Sequence, residues 1–388
     1  MNLWTKRMAA AFLAVLTMAA SGCSAQTGSS VESPTESSVS SVQESSSEES
    51  SAGSSETSET ESQTRIFTDS CGREVEIPSQ IDRIAPSGPM AQMVLFSLTP
   101  DKMVGWSATL SESAADYIGE KYASLPVYGQ FYGKNANLNI EALAAADPQV
   151  IIDIGEAKEG VEEDMDGIQE QTGIPTLFIE AELDTMGDAY RLLGDLLGAE
   201  ESAEALASYC EETVETAKEK AASIPEDQLV TVYFGEGETG LETNPKGSLQ
   251  ADVIDLVGGV NVAEMDKVTS SGGNEINMEQ LLLWDPDVIL FGPNSVYASV
   301  ESDPLWADVR AIQDGKFYEV PEGPYNWMNR PPSVNRIIGI RWLGNLLYPD
   351  LYQYDMVAEA QEFYKLFYHY DLTEDQAKAL LANSTLKE

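Results

Sequence analysis

The chain has 388 residues, one histidine, three cysteines, and 65 acidic against 22 basic side chains, for a formal net charge of −43. So few Lys and Arg exclude a phosphate-neutralising nucleic-acid binder, and a zinc site of Cys and His is equally disfavoured. With 43% hydrophobic and 8% aromatic residues the chain can bury a sizeable core, arranged at this length in two domains rather than one.

The first residues read as an address. Lys6 and Arg7 precede an apolar run from Met8 to Ala20, and the small residues Ala20, Ser21 and Gly22 lead directly into Cys23. The run is too short to span a bilayer as a mature helix. A cysteine after small residues resembles the lipobox of bacterial lipoproteins. That resemblance implies a signal peptide over residues 1–22, cleavage before Cys23 and lipidation of its thiol. Residues 23–63 hold this cysteine and a Ser-, Glu- and Thr-rich segment without Lys or Arg. Such a segment buries too little apolar area to offset its ordering entropy, so a disordered tether is expected, with an end-to-end distance of about 35 Å.

An N-terminal α/β lobe is expected over residues 64–183. It opens with a strand pair in TDSCGREVEIP (Thr68 to Pro78), then a strand near Ile81 to Ala85, the loop PSGP and a helix through Met90 to Leu98. The segment IEALAAADPQVII from Ile140 reads as an amphipathic helix stopped by Asp147 and Pro148, followed by a continuous apolar strand of the kind buried in a parallel sheet. A further strand is predicted at Thr176 to Ile179. Residues 184–224 form a linking helical segment interrupted near Gly198; a helix of about 24 residues from Glu201 spans roughly 35 Å, enough to act as a stiff strut.

The pattern then repeats over residues 225–352. A strand from Leu229 to Phe234 meets a Gly-rich loop and a helix around Ser248 to Val257, and MEQLLLWDPDVIL from Met278 matches the Ile140 segment. Glu141 aligns with Glu279, Leu143 with Leu281, Asp147 with Asp285 and Val150 with Val288. A last strand is predicted at Lys316 to Val320, and residues 353–388 are read as C-terminal helices. The fold class is therefore α/β: two mainly parallel-sheet lobes joined by one long α-helix, with a ligand cleft between the lobes.

Open parallel sheets bind ligands outside the carboxyl ends of their strands. Loops at those ends give Ser87, Tyr128, Gln130, Tyr132 and Glu156 from the first lobe, and Glu236, Asn294, Tyr325, Trp327 and Arg330 from the second. They are aromatic, small and polar groups with one strong cation, and no catalytic set stands among them. Arg330 presents a fork of donors suited to a carboxylate, hydroxamate or catecholate oxygen; the competing reading pairs it with one of the many acids or with a helix end. Tyr128 and Tyr132, with Lys134 nearby, offer stacking surface or, if deprotonated, ferric ligands, against a role in packing. Ser87 reads as a helix N-cap. Met90, Met93, Val94 and Leu98 share a helix face, which assigns the methionines to the core rather than to haem. His369 reads as a packed surface residue, and Cys71 and Cys210 as two free or buried thiols.

Together the hairpin, IDRIAPSGP, VYGQ, the long helix, DLVGGVNVA, MEQLLLWDPDVILFG, DPLWADVRAIQDGKFYEVP and IRWLGNLLYPD resemble, in that order, the substrate-binding lipoproteins of ABC importers for iron complexes. The resemblance implies two lobes on one rigid helix with modest movement, and capture without chemistry of an iron(III) chelate, such as a siderophore, for delivery to a membrane permease. It also implies an extracytoplasmic, lipid-anchored monomer without a resident cofactor, docked on the permease through a glutamate from each lobe, for which no unique positions stand out here. The alternatives are cobalamin, haem or a molybdate-type oxyanion. A different class, an extracellular enzyme, lacks a G-x-S-x-G elbow and a cleft histidine, and a lipoprotein adhesin requires an exposed apolar patch.

Overall fold

The structure, a computed structural model, describes residues 63–133, 135–265 and 274–387. The expected signal peptide, Cys23, the tether and Lys134 lie outside the described residues.

Strands β1 (Thr64–Thr68) and β2 (Glu74–Pro78) form the expected antiparallel hairpin. Its turn closes on buried Asp69, whose Oδ1 accepts the N–H groups of Cys71 and Arg73 at 3.1 and 3.0 Å. The N-terminal lobe is built on the parallel strands β3 (Ile84–Pro86), β4 (Val150–Gly155) and β5 (Thr176–Glu180), in that order. Met103 makes a parallel bridge to Ile84 on the other side of β3. After β3 the chain therefore lays Met103 on one flank before β4 pairs on the other, which puts a topological switch point between β3 and β4.

The C-terminal lobe contains β6 (Thr231–Gly235), β7 (Glu242–Thr243), β8 (Val260–Asn261), β9 (Asn274–Glu275), β10 (Val288–Phe291) and β11 (Phe317–Glu319). A parallel sheet runs in the order β11-β10-β6-β8, while β7 and β9 pair antiparallel beside it. Here the order reverses at β6. Glu236, the first residue past β6, stands at this second switch point.

The repeat extends to the helix ends. Helix Ile140–Ala146 and helix Met278–Trp284 are both N-capped by an asparagine, Asn139 and Asn277, whose side chains accept the N–H three residues on. Both stop at an aspartate in the left-handed region, Asp147 at φ 50° and Asp285 at φ 43°. Each capped helix then feeds a fully buried strand. Both halves also tie down the stopping residue with an arginine, Arg83 to the Asp147 carbonyl at 2.7 Å and Arg310 to the Asp285 carbonyl at 2.8 Å.

Helix Met186–Leu197 ends at Gly198, left-handed at φ 66°, and the 23-residue linking helix Glu200–Ala222 follows. One apolar core runs from helix Pro89–Leu98 through the linking helix to helix Asn335–Leu347 and the C-terminal helix Met356–Phe367. The C-terminal segment touches both lobes. His369 stacks edge-on to Phe96 at 5.8 Å, while the Ser384 hydroxyl donates to the Glu319 carbonyl at 2.6 Å. Cys71 and Cys210 are free thiols, the first pushed up to about 11 by burial, the second well above the usual range for the same reason.

Helix Asn335–Leu347 lies so close to the loop before it that a Cβ on Gly339 would sit 1.9 Å from the Trp327 carbonyl oxygen. Gly339→Ala must push that loop away, so thermal denaturation should show a loss of about 1–3 kcal/mol.

Candidate ligand cleft

The carboxyl ends of β3 and β4 open onto a cavity of about 340 Å³, walled by Gly88 to Ala91, Gln130, Tyr132, Gly133 and Asp153 to Glu156. This is the position that the switch-point rule assigns to a ligand. Glu156, Lys158 and Leu249 are shared with a larger cavity of about 650 Å³, whose other walls come from Glu182, Leu183 and Asp184 of the first lobe and from residues 244–256 of the second. The two make one seam between the lobes.

In the first lobe the polar centre is Asp153, 3% exposed, on the central strand β4. It accepts the Ser87 hydroxyl on Oδ1 and the Tyr132 hydroxyl on Oδ2, the latter at 2.6 Å. Burial pushes its carboxyl up, against those two hydrogen bonds. The Tyr132 phenol is pushed far up by burial and by the Asp153 charge, so it is a neutral hydrogen-bond donor at physiological pH rather than a ferric ligand.

The second lobe has a self-paired cluster at its own switch point, of which Asn244 lines the larger cavity while Glu236, Asn329 and Arg330 line neither. Glu236, 5% exposed, accepts Arg330 Nε at 2.8 Å and Nη2 at 3.3 Å, Asn329 Nδ2 at 3.1 Å and the Asn244 amide. That bidentate pair with an acid is the structural alternative weighed for Arg330, and it raises the guanidinium further. Arg330 remains half exposed, and among the described residues its Nη1 makes no hydrogen bond. The loop is shaped by Asn326, whose Oδ1 accepts the N–H groups of Met328, Asn329 and Arg330. Ser333 fastens it across the seam by donating to the Met90 carbonyl at 3.0 Å.

Gln130, Tyr132 and Glu156 therefore line the seam as expected from the sequence. Other expected contacts are placed elsewhere. Tyr128, 1% exposed, packs under the lobe with its hydroxyl on the Pro86 and Gly105 carbonyls. Trp327 is completely buried beneath helix Asn335–Leu347, and Tyr325 packs on the core, its hydroxyl accepting from Gln92 at 3.2 Å. Asn294 is an exposed left-handed turn residue at φ 62° and lines neither cavity. Ser87 does not cap the helix, because Gly88 is the N-cap and the hydroxyl goes to Asp153. Met93 and Met103 are core, whereas Met90 lines the cavity, a departure from the helix-face reading. Glu182, Asp252 and Asp255 were missed. Glu182 lies two residues past β5, so the strand-end rule reaches it, but Asp252 and Asp255 sit on a short helix, Asp252–Leu256, that reads as surface.

Burial raises the carboxyls of Glu182, Asp252 and Asp255; for Glu182 the charges of Glu156 and Glu180 add to it. The seam thus carries an excess of carboxylates over cationic side chains.

A sequence model described as periplasmic binding protein matches residues 94–324, more than half of the chain. The chain belongs to the periplasmic binding protein family. An ABC transporter solute-binding protein from Sulfurospirillum deleyianum is 30% identical, with TM-score 0.75 over 82% of this chain and 99% of that one. The molybdate-binding protein MolA of Haemophilus influenzae is 24% identical over 81% of this chain and 93% of its own length. The uncharacterized ABC transporter substrate-binding lipoprotein YvrC of Bacillus subtilis is 20% identical over 74% of this chain and 86% of its own. As a periplasmic binding protein the chain is an extracytoplasmic solute carrier that hands its cargo to an ABC permease, and the family acts by binding rather than turnover. Among the described residues no helix is long and apolar enough to cross a membrane.

Asp153→Asn keeps the shape of the β4 centre and removes its charge. A carboxyl whose folded pKa is raised contributes stability in full below the ordinary carboxylate range and loses it as pH rises through the folded value. The variant should therefore melt above the native protein at neutral pH, with the gap closing as pH falls towards the usual carboxylate range, as followed by thermal denaturation between pH 4 and 8. A gap that widens on acidification would contradict burial as the dominant effect.

Proposed function

We propose that this periplasmic binding protein captures an iron(III) complex of zero or positive net charge, a siderophore of the hydroxamate type, for delivery to its permease. The observation that carries this reading is the carboxylate-rich seam. Glu156, Glu182, Asp184, Asp252 and Asp255 line the larger cavity against the single lysine Lys158, and Asp153 and Asp164 line the smaller one. Such a surface repels a tris-catecholate or an oxyanion and accepts a neutral tris-hydroxamate. The metal arrives already chelated, because Tyr132 is protonated and committed to Asp153. Met90, the edge of Tyr132 and Leu249 give apolar surface, and Gln130 gives amide groups to the chelate.

Fluorescence titration of the full-length chain tests this against ferric hydroxamates, a ferric tris-catecholate, cobalamin, haem and molybdate. Saturable binding of a hydroxamate, with no response to molybdate or the catecholate, is the expected result. A response to molybdate alone would overturn it in favour of the second reading, an oxyanion carrier like MolA. That reading draws on Arg330, half exposed with Nη1 free of hydrogen bonds among the described residues. If Arg330 turned from Glu236 to an oxyanion, Arg330→Ala should weaken molybdate by about 2 kcal/mol, the size of a lost charge-assisted hydrogen bond.

The same reading has the protein act as a monomer held at the membrane by a lipid on Cys23. Cys23→Ala should shift it from the membrane fraction to the soluble one, and mass spectrometry of the native protein should find a lipid-bearing Cys23 at the mature N-terminus.

A further inference from the structure

Three carboxylates line the smaller cavity, and only one of them is buried: Asp153 is 3% exposed on the central strand β4, whereas Glu156 and Asp164 are exposed. Its two oxygens are held by the Ser87 and Tyr132 hydroxyls, and Tyr132 lines the same cavity. Hydroxyl donors satisfy a buried carboxylate without cancelling its charge, so its ionisation depends on how much water the cavity holds.

Among the described residues Asp153 has no ion-pair partner, and the groups around it offer none. Helix Pro89–Leu98 carries no titratable side chain, and on the neighbouring strand Asp153 stands in register with Phe178, with the exposed Glu180 at the strand's end. Burial raises the Asp153 carboxyl, and Asp164 of helix Val161–Thr172 adds to it. From the hairpin turn the Cys71 thiol feels the charges of Asp153 and Glu162, while Arg73 is committed to Asp69 and Asp166 at 3.0 and 2.9 Å. Tyr128 and Tyr132 stay protonated because burial raises both phenols. Lys158, the one described cation lining the cavity, is 67% exposed and pairs with Glu156 at 3.7 Å.

We infer that capture in the smaller cavity is linked to a proton at Asp153: an uncharged chelate displaces the cavity water, and the carboxylate takes up a proton from solvent as the cargo seats. This rests on the chelate reading above and adds a pH dependence to it. Removing water disfavours the charged form, so the carboxyl titrates at a higher pH in the complex than in the free protein. Affinity is therefore lowest above the value in the complex, rises as pH falls between the two values, and levels off below the value in the free protein.

The probe is the ferric complex of a linear trihydroxamate with its terminal amine acetylated, which is uncharged and carries no free group titrating between pH 4 and 8. Calorimetric titration of the full-length chain over that range, in pairs of buffers with different ionisation enthalpies, counts the protons. The native chain should take up protons on binding and gain about tenfold in affinity on acidification, the effect of moving one carboxyl up by about one pH unit. Asp153→Asn should lose the uptake and most of the gain. Tyr132→Phe removes a hydroxyl donor from the carboxylate, so its gain should begin at a higher pH than in the native chain, whatever its absolute affinity. Should Asp153→Asn fail to bind, the Tyr132→Phe profile decides alone. Binding without proton uptake, uptake that survives Asp153→Asn, or a Tyr132→Phe profile that does not move overturns the linkage and leaves the chelate reading standing. No binding of the probe at any pH overturns the chelate reading, and the linkage with it.

Discussion

Like charges in a narrow seam repel, and they stay together only if the walls that carry them cannot separate. Here the walls are fixed by the linking helix Glu200–Ala222, whose 23 residues form a strut of about 35 Å between the lobes. The strut is packed rather than free. Arg341 of helix Asn335–Leu347 stacks on Tyr209 at 3.9 Å and donates to Thr213 at 2.9 Å, both on the linking helix, and it pairs with Glu359 of the C-terminal helix. Two flexible strands in place of this helix would let the lobes swing apart and relieve the repulsion. A packed helix leaves the carboxylates of the seam to be answered by a ligand.

The C-terminal helices reinforce that constraint from the other side. Phe363 and Phe367 pack on Tyr209 at 6.2 and 5.5 Å, and Phe367 also meets Tyr190 of helix Met186–Leu197 at 6.3 Å. Further on, the Trp342 indole donates to the Ser384 carbonyl at 2.7 Å, while Asn383 donates to Glu319 at 2.8 Å in the second lobe. A segment that reads in the sequence as an appendage thus bridges both lobes. Small lobe motion is the mechanical consequence, since any large opening must break these aromatic contacts and hydrogen bonds together.

Local chemistry explains which parts could be read from the residues alone. The two copies of the helix-strand unit announce themselves through Asp147-Pro148 and Asp285-Pro286, because proline forbids the helix before it and a short polar residue tolerates the left-handed stop. The switch-point rule points to Gln130, Tyr132 and Glu156, and these three line the seam. It failed for Tyr128 and Trp327, since burial is a tertiary property. Tyr128 goes inward because its N–H bonds the Trp106 carbonyl at 3.0 Å, which lays this loop along the flank of the sheet. Trp327 goes inward because Gly339 allows a helix to cross directly over its backbone. Asp252 and Asp255 were invisible for the opposite reason: acids on a short helix read as a solvated face unless the facing lobe is known.

The two lobes answer their switch points differently, and the difference bears on selectivity. At β6 the buried Glu236 is satisfied internally by Arg330, Asn244 and Asn329, so this rim presents hydrogen-bonding groups with little net charge. At β4 the buried Asp153 is satisfied by two neutral hydroxyls and has no ion-pair partner among the described residues. Arg336 does not correct the imbalance at the surface. It neutralises Asp252 from behind and pins the Leu249 carbonyl, shaping the wall at residues 248–252 without presenting a cation to the seam. The second lobe thus neutralises its switch point internally, while Asp252 and Asp255 on its short helix still bring carboxylates to the seam wall.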